Sequence, residues 1–224
     1  KVKATLAGER LAEAHALLGA AYSRAGFYEA AAVALEDAAA LEPNDGRWAY
    51  AQGIIARLQK QNQAALGYFE HALQLDQGYL PIRVAVVNAR IEQGDLEGAR
   101  KLLQDFTASE VKNPLPYAML GDIALRQKRY PDAIAQTRRA LELDPQATKL
   151  YTQLADAYQG AGDAKNAADA RAKAGPGTPA LGDPIGLGLV QSQAPANAPA
   201  PSAAQPPAPS GIDPAAARSL TPER

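Results

Sequence analysis

The chain has 224 residues, with 23 basic and 24 acidic side chains, a net charge of −1 and no cysteine. The length allows one or two ordinary domains, and the missing thiols exclude disulfides, thiolate metal sites and cysteine nucleophiles. Balanced charge gives no reason to expect nucleic acid or an anionic membrane as a partner, and no run approaches the ~18 apolar residues of a membrane span.

Residues 1–11 form a lead-in, Lys1 to Thr5 as a frayed end or the remnant of an upstream element and Gly8 to Leu11 as the run into a first helix. A start at lysine instead of methionine fits a removed signal peptide or domain. From Ala12 onward the apolar residues recur at helical spacing. Leu18, Gly19 and Tyr22 share one face, Gly26 interrupts it, and Ala31, Leu35, Ala38 and Leu41 resume it until Pro43 ends the second helix. The pattern restarts at Gly46 with Gly53, Ala56, Ala65, Phe69 and Ala72, where Trp48, the single tryptophan, stands one residue early. It restarts again at Leu80 with Val86, Val87, Ala99, Leu102, Leu103 and Phe106. The segment after Phe106 lacks an apolar end, which predicts a second helix that stops early and looser packing than in the unit that follows. The clearest copy begins at Pro114, with Tyr117, Leu120, Gly121, Ala124, Ala133, Ala140 and Pro145, and a fifth begins at Thr148.

These five starts lie 34 residues apart with no insertion, and position 20 is alanine in each copy: Ala31, Ala65, Ala99, Ala133 and Ala167. Two helices that approach closely at that point have no room for more, since a larger side chain there would overpack by roughly 1–3 kcal/mol. The spacing and the aromatic, leucine–glycine, alanine and proline slots resemble the tetratricopeptide repeat. The resemblance implies an all-α, right-handed solenoid of about ten antiparallel helices over residues 12–174. The polar last helix, with Lys165, Asn166, Asp169, Arg171 and Lys173, suits a terminal repeat that no neighbour covers.

Residues 175–224 hold eleven of the 17 prolines and are rich in Ala, Ser and Gln, which predicts a disordered tail. Residues 181–190 are apolar and glycine-spaced. They are expected to lie over the end of repeat 5, or else to serve as a linear motif for another protein.

Catalytic patterns are absent. His15 and His71 have no carboxylate at metal-ligand spacing, no phosphate loop or nucleophile elbow is present, and no cofactor or metal is expected. Arg126, Lys128, Arg129, Arg138 and Arg139 form a basic cluster, read as a solvated face with Arg138 and Glu142 available as a pair. The resemblance assigns positions 2, 5, 9 and 12 of each first helix to a concave, partner-binding face. The lysine and asparagine of the family's clamp for chaperone tails are not there: Ala16, Ala20, Tyr50 and Ile54 occupy those positions, and only Asn88 matches.

The expected function is therefore a non-enzymatic scaffold that binds a protein or peptide ligand in the groove, with no nucleic acid partner. The expected site comprises Arg24, Arg47, Tyr50, Ile54, Arg57, Val84, Asn88, Asp122 and Arg126. Its ligand is a peptide with an apolar anchor near Tyr50 and Ile54 and an acidic group near Arg24 or Arg57. The setting suggested by the Ala/Pro-rich tail is a bacterial envelope, secretion or pilus assembly. The alternative is a regulatory or recruiting part of an enzyme whose catalytic domain lies upstream of Lys1.

Overall fold

The structure is a computed structural model that describes residues 2–108 and 112–190. All elements among those residues are helices. Five antiparallel hairpins follow one another: α1 (Val2–Arg24) with α2 (Tyr28–Leu41), α3 (Gly46–Leu58) with α4 (Asn62–Leu75), α5 (Leu80–Glu92) with α6 (Leu96–Thr107), α7 (Pro114–Arg126) with α8 (Tyr130–Leu143), and α9 (Leu150–Gly160) with α10 (Ala164–Lys173). An eleventh helix, α11 (Pro184–Val190), comes after the repeats. Helix α1 enters repeat 1 without a break from Val2. Of the tail expected to be disordered, residues 175–224, the stretch 191–224 lies outside the described residues, whereas 175–190 is described and includes α11, which corrects that expectation there.

One turn is used five times. Position 15 of each repeat adopts positive φ: Gly26 at 82°, Lys60 at 63°, Gly94 at 83°, Lys128 at 59° and Gly162 at 83°. The next residue then donates its backbone N–H five residues back, as in Phe27 to Tyr22 and Gln61 to Ala56, both 2.9 Å. This closes the first helix by satisfying one of its orphan carbonyls and sets the second helix antiparallel. At two of the four entries to a next repeat the cap is at position 34, where Asp45 and Asn113 each accept a backbone N–H at 2.9 Å, from Arg47 and Leu115.

The small residues do what their spacing predicts. All five position-20 alanines are buried, none more than 2% exposed. Position 8 faces position 24 of the partner helix. At Gly53 a Cβ atom would stand 2.4 Å from the ring of Phe69, so glycine is what lets this fully buried phenylalanine lie between α3 and α4. Repeat 3 departs from this plan. Val87 replaces the small residue at position 8, is fully buried itself, and α5 and α6 meet less extensively than the flanking pairs. Its aromatic has also changed sides: Phe106 stands at position 27, covered by the Arg83 guanidinium 4.5 Å from the ring centroid. Helix α6 has 12 residues against 14 in α4 and α8. The Thr107 hydroxyl donates to the Leu103 carbonyl at 3.0 Å near its end.

The solenoid ends differently at its two sides. Leu120 and Leu154 at position 7 are 6% exposed because the preceding hairpin covers them, whereas Leu18 at the same position of α1 is 45% exposed. After α10 the chain turns back on the entry to α9. Gly175 N–H donates to the Thr148 carbonyl, Gly177 N–H to the Thr148 hydroxyl, and Lys149 N–H to the Gly177 carbonyl at 2.7 Å. A Cβ on Gly177 would lie 1.9 Å from the Gln146 carbonyl oxygen, so no other residue allows this approach. The chain then leaves repeat 5. Helix α11 packs on α1 and α3, which corrects the expectation that residues 181–190 cover the last repeat. The apolar matches they need, around Ile54 and Phe69, are in repeats 1 and 2, while α10 offers only alanines and polar or charged side chains, with no large apolar residue.

Candidate functional site

Helix α11 lies in the concave face of repeats 1 and 2 and is held at both ends. At its start the Asp183 carboxylate accepts from the Tyr50 hydroxyl at 2.6 Å, the Tyr79 hydroxyl at 3.2 Å and the backbone N–H of Gly186 at 2.8 Å. At its end two carbonyls that a helix leaves without internal partners are taken up by α1. Ser23 Oγ donates to the Leu189 carbonyl at 2.9 Å, and Arg24 donates to the Gly188 carbonyl at 2.7 Å. Between the two ends, Leu189 is 3% exposed and joins the apolar cluster that contains Ala20, Tyr50, Ile54 and Phe69, with Ile185 packed against it.

The two phenols are tuned to remain donors. Burial, then the hydrogen bond and charge of Asp183, push the Tyr50 phenol well above its usual range. Burial and the Asp183 charge raise Tyr79 from 10.0 to about 12. Tyr79 holds position 34, where Asp45 and Asn113 cap their helices, yet it makes no side-chain cap for α5. Its hydroxyl is turned instead to the Asp183 carboxylate at 3.2 Å.

The structure divides the nine expected residues into groups. Arg24, Tyr50 and Ile54 converge on the α11 seat. Arg57 lies over the Phe69 ring at 5.8 Å beside them. Arg47 is engaged elsewhere: its guanidinium holds the Asp45 carboxylate at 2.6 Å and stacks 4.7 Å over Trp48, and the Asp45 hydrogen bond raises its pKa. Val84 is buried and Asn88 half-buried on α5. Asp122 and Arg126 pair with each other on α7 at 2.8 Å. The acid in the groove therefore meets Tyr50 and Tyr79, while Arg24 takes a carbonyl. Tyr79 was missed by the sequence reading, and its signal was a tyrosine in a capping slot.

The basic cluster of repeat 4 is largely neutralised by local acids: Arg129 pairs with Asp132, and Arg139 with Glu142 at 3.1 Å. The expected partner of Glu142 was Arg138, but the i,i+3 neighbour reaches it. His15 lies 3.4 Å from Asp37 within the first hairpin. Among the described residues no cluster of His, Asp and Glu is arranged to hold a metal, and no helix is long and apolar enough to cross a membrane.

An alanine-packed array of helical hairpins with a concave, partner-shaped face defines a helical-repeat interaction scaffold. Sequence signatures described as tetratricopeptide repeat match residues 16–79, 56–123 and 114–147, so the chain belongs to the tetratricopeptide repeat family. Solved structures similar to it include MamA (residues 41-end) from Desulfovibrio magneticus RS-1, 22% identical with a TM-score of 0.65 over 72% of this chain and 92% of that one. Pseudomonas aeruginosa pilF is 19% identical with a TM-score of 0.63, over 76% and 79% of the two chains. YrrB, described as a TPR protein with an unusual peptide-binding site, is 15% identical with a TM-score of 0.58, over 69% and 80%. At these identities the likeness shows the fold. No curated protein matches the chain.

Proposed function

We propose that the chain is a non-enzymatic scaffold that binds a peptide segment of a protein partner in the concave groove of its first three repeats. One observation carries this reading. The groove accommodates a peptide helix, α11, through side-chain donors to both of its ends and an apolar seat between them. Those are the contacts that a partner segment of similar shape requires. Tyr50 and Ile54 provide the anchor region, Arg24 and Tyr79 the polar ends, and Val84 and Asn88 extend the face into repeat 3. The proposed setting is a bacterial envelope, secretion or pilus assembly, supported by the composition of the tail.

The test uses the full chain carrying Ile185→Asp and Leu189→Asp, which expels α11, as bait for a display library of random peptides. Selected peptides should bind the bait and lose it when Tyr50→Ala and Arg57→Ala are added, with helicity retained. Selection of no peptide, or of peptides indifferent to Tyr50, rejects the groove.

A further inference from the structure

Helix α11 fills its seat incompletely. A pocket of about 290 Å³ remains beside it, lined mainly by Ala16, Leu17, Ala20, Trp48 and Ala51 on one side and Gly188 on the other. Its wall is apolar apart from Glu13 at the edge. Gly188 faces open space, and a Cβ atom built there meets nothing within 4 Å. Gly186 is the opposite case: its Cβ would lie 2.0 Å from the Asp183 carboxylate that caps the helix, so this glycine is fixed by the cap. The occupant thus has required features at three points (the acid, the glycine three residues on, and the apolar pair Ile185 and Leu189) and leaves an apolar space empty at a fourth.

We propose that α11 is a displaceable self-ligand, and that the partner is a helical peptide with a carboxylate at its start, an aliphatic residue two positions on, glycine at three, a large apolar side chain at five and an aliphatic residue at six. The inference rests on the groove being the partner site and adds what that site selects. The carboxylate is read by two hydroxyls that stay protonated, Tyr50 and Tyr79, so an amide in its place loses a charged acceptor. The side chain at the fifth position enters the pocket beside Trp48 and removes apolar surface from water that α11 leaves exposed. That is how an incoming peptide outcompetes a segment already in place. Arg24 and Ser23 bind backbone carbonyls and set the length of the helix, whatever its side chains.

The sole tryptophan lines the pocket, so its emission reports occupancy directly. Two synthetic peptides are titrated into the full chain carrying Ile185→Asp and Leu189→Asp: residues 181–190 as they stand, and the same peptide with Gly188→Phe. The phenylalanine peptide should bind at least about tenfold more tightly and shift Trp48 emission, as expected for burial of one aromatic side chain. Adding Asp183→Asn to that peptide should cost about tenfold or more. The unaltered chain, with its seat filled, should take up either peptide more weakly than the opened variant. Equal binding of the two peptides, an unchanged Trp48 signal, or equal uptake by the unaltered and opened chains overturns the proposal. If circular dichroism shows the opened variant unfolded, the titration is repeated on the full chain with Asp183→Asn alone, which keeps Ile185 and Leu189 in the fold and is read by the same outcomes. Should peptides from the display library depend on Tyr50 while neither synthetic peptide binds, this inference falls and the groove stands. If no peptide depends on Tyr50, both fall.

Discussion

Repeats 2 and 4 present the same helix positions on the concave face and fill them in opposite ways. Position 5 is Tyr50 in one and Ala118 in the other, position 9 is Ile54 against Asp122, and the last-turn arginines are Arg57 and Arg126. In repeat 2 the middle of the stripe is buried, with Ile54 1% and Tyr50 4% exposed between the exposed Arg47 and Arg57, and an aromatic pair, Tyr50 with Tyr79 at 6.1 Å, stands beside it. In repeat 4 the charged residues pair with each other at the surface, Asp122 with Arg126, and repeat 5 repeats the theme with Asp156 and Arg171. One backbone plan thus supports a seat that needs an occupant and a face that is complete in water. The difference lies in whether the polar groups find partners within their own hairpin or only across the groove.

The sharpest way to break this comparison is to exchange position 9. Ile54→Asp should destabilise the chain by at least about 3 kcal/mol, because an unpaired carboxylate is forced among apolar side chains. Asp122→Ile should change stability by no more than about 1 kcal/mol, since an exposed ion pair of low worth is all that is lost. Chemical denaturation compares the two, and equal costs would erase the distinction. The next effect is confined to the occupant. Tyr50→Phe with Tyr79→Phe removes two donors to a carboxylate, each worth about 1.5–3 kcal/mol. Hydrogen exchange should accelerate in residues 184–190 while α7 to α10 stay protected.

A pH experiment sharpens the same contrast. Tyr79 has a raised pKa, so its contribution to docking is complete below pH 10 and is lost as pH rises toward about 12. The α11 amides should become exchangeable over that range in the unaltered chain, and phenolate absorbance should appear at lower pH in an Asp183→Asn variant. Smaller still, Lys60→Gly and Lys128→Gly should each stabilise by about 0.5–1 kcal/mol, because both lysines hold a left-handed conformation that glycine adopts without a Cβ clash. Equal gains in melting temperature would show that the two halves share their turns and differ only on the concave face. The smallest change expected is for Arg126→Ala, within about 0.5 kcal/mol, as for an exposed i,i+4 pair.

The scaffold was legible because its signals are local and repeated. Alanine at position 20, the stop at Pro43 and the turn at Gly26 each restate a rule within a few residues, and the register follows from their spacing. The left-handed turns at Lys60 and Lys128 were not legible, since lysine carries no hint of positive φ; only the position shared with Gly26, Gly94 and Gly162 gives them away. The seat of α11 was hidden for a different reason. Ser23 and Leu189 are 166 residues apart, and Tyr50 and Asp183 are 133 apart, so no periodic pattern links them. Residues 181–190 announced that they were apolar and therefore needed cover. Which face supplied it depended on where aromatic hydroxyls and an apolar cluster meet in three dimensions, and Tyr79 shows itself there only as a missing cap.

The hydrogen bonds that fasten Gly175 and Gly177 to Thr148 leave only the few residues before Asp183 to bridge from repeat 5 to the groove. A helix on so short a tether is present at its own seat at a local concentration on the order of millimolar. A free peptide with the same contacts therefore loses to α11 at any ordinary cellular level. The groove acquires a threshold: it ignores weak or scarce look-alikes and yields to a partner that binds better than its own segment or arrives in several linked copies. Lengthening the tether with a flexible insert after Gly177 lowers that threshold without touching a single residue of the seat.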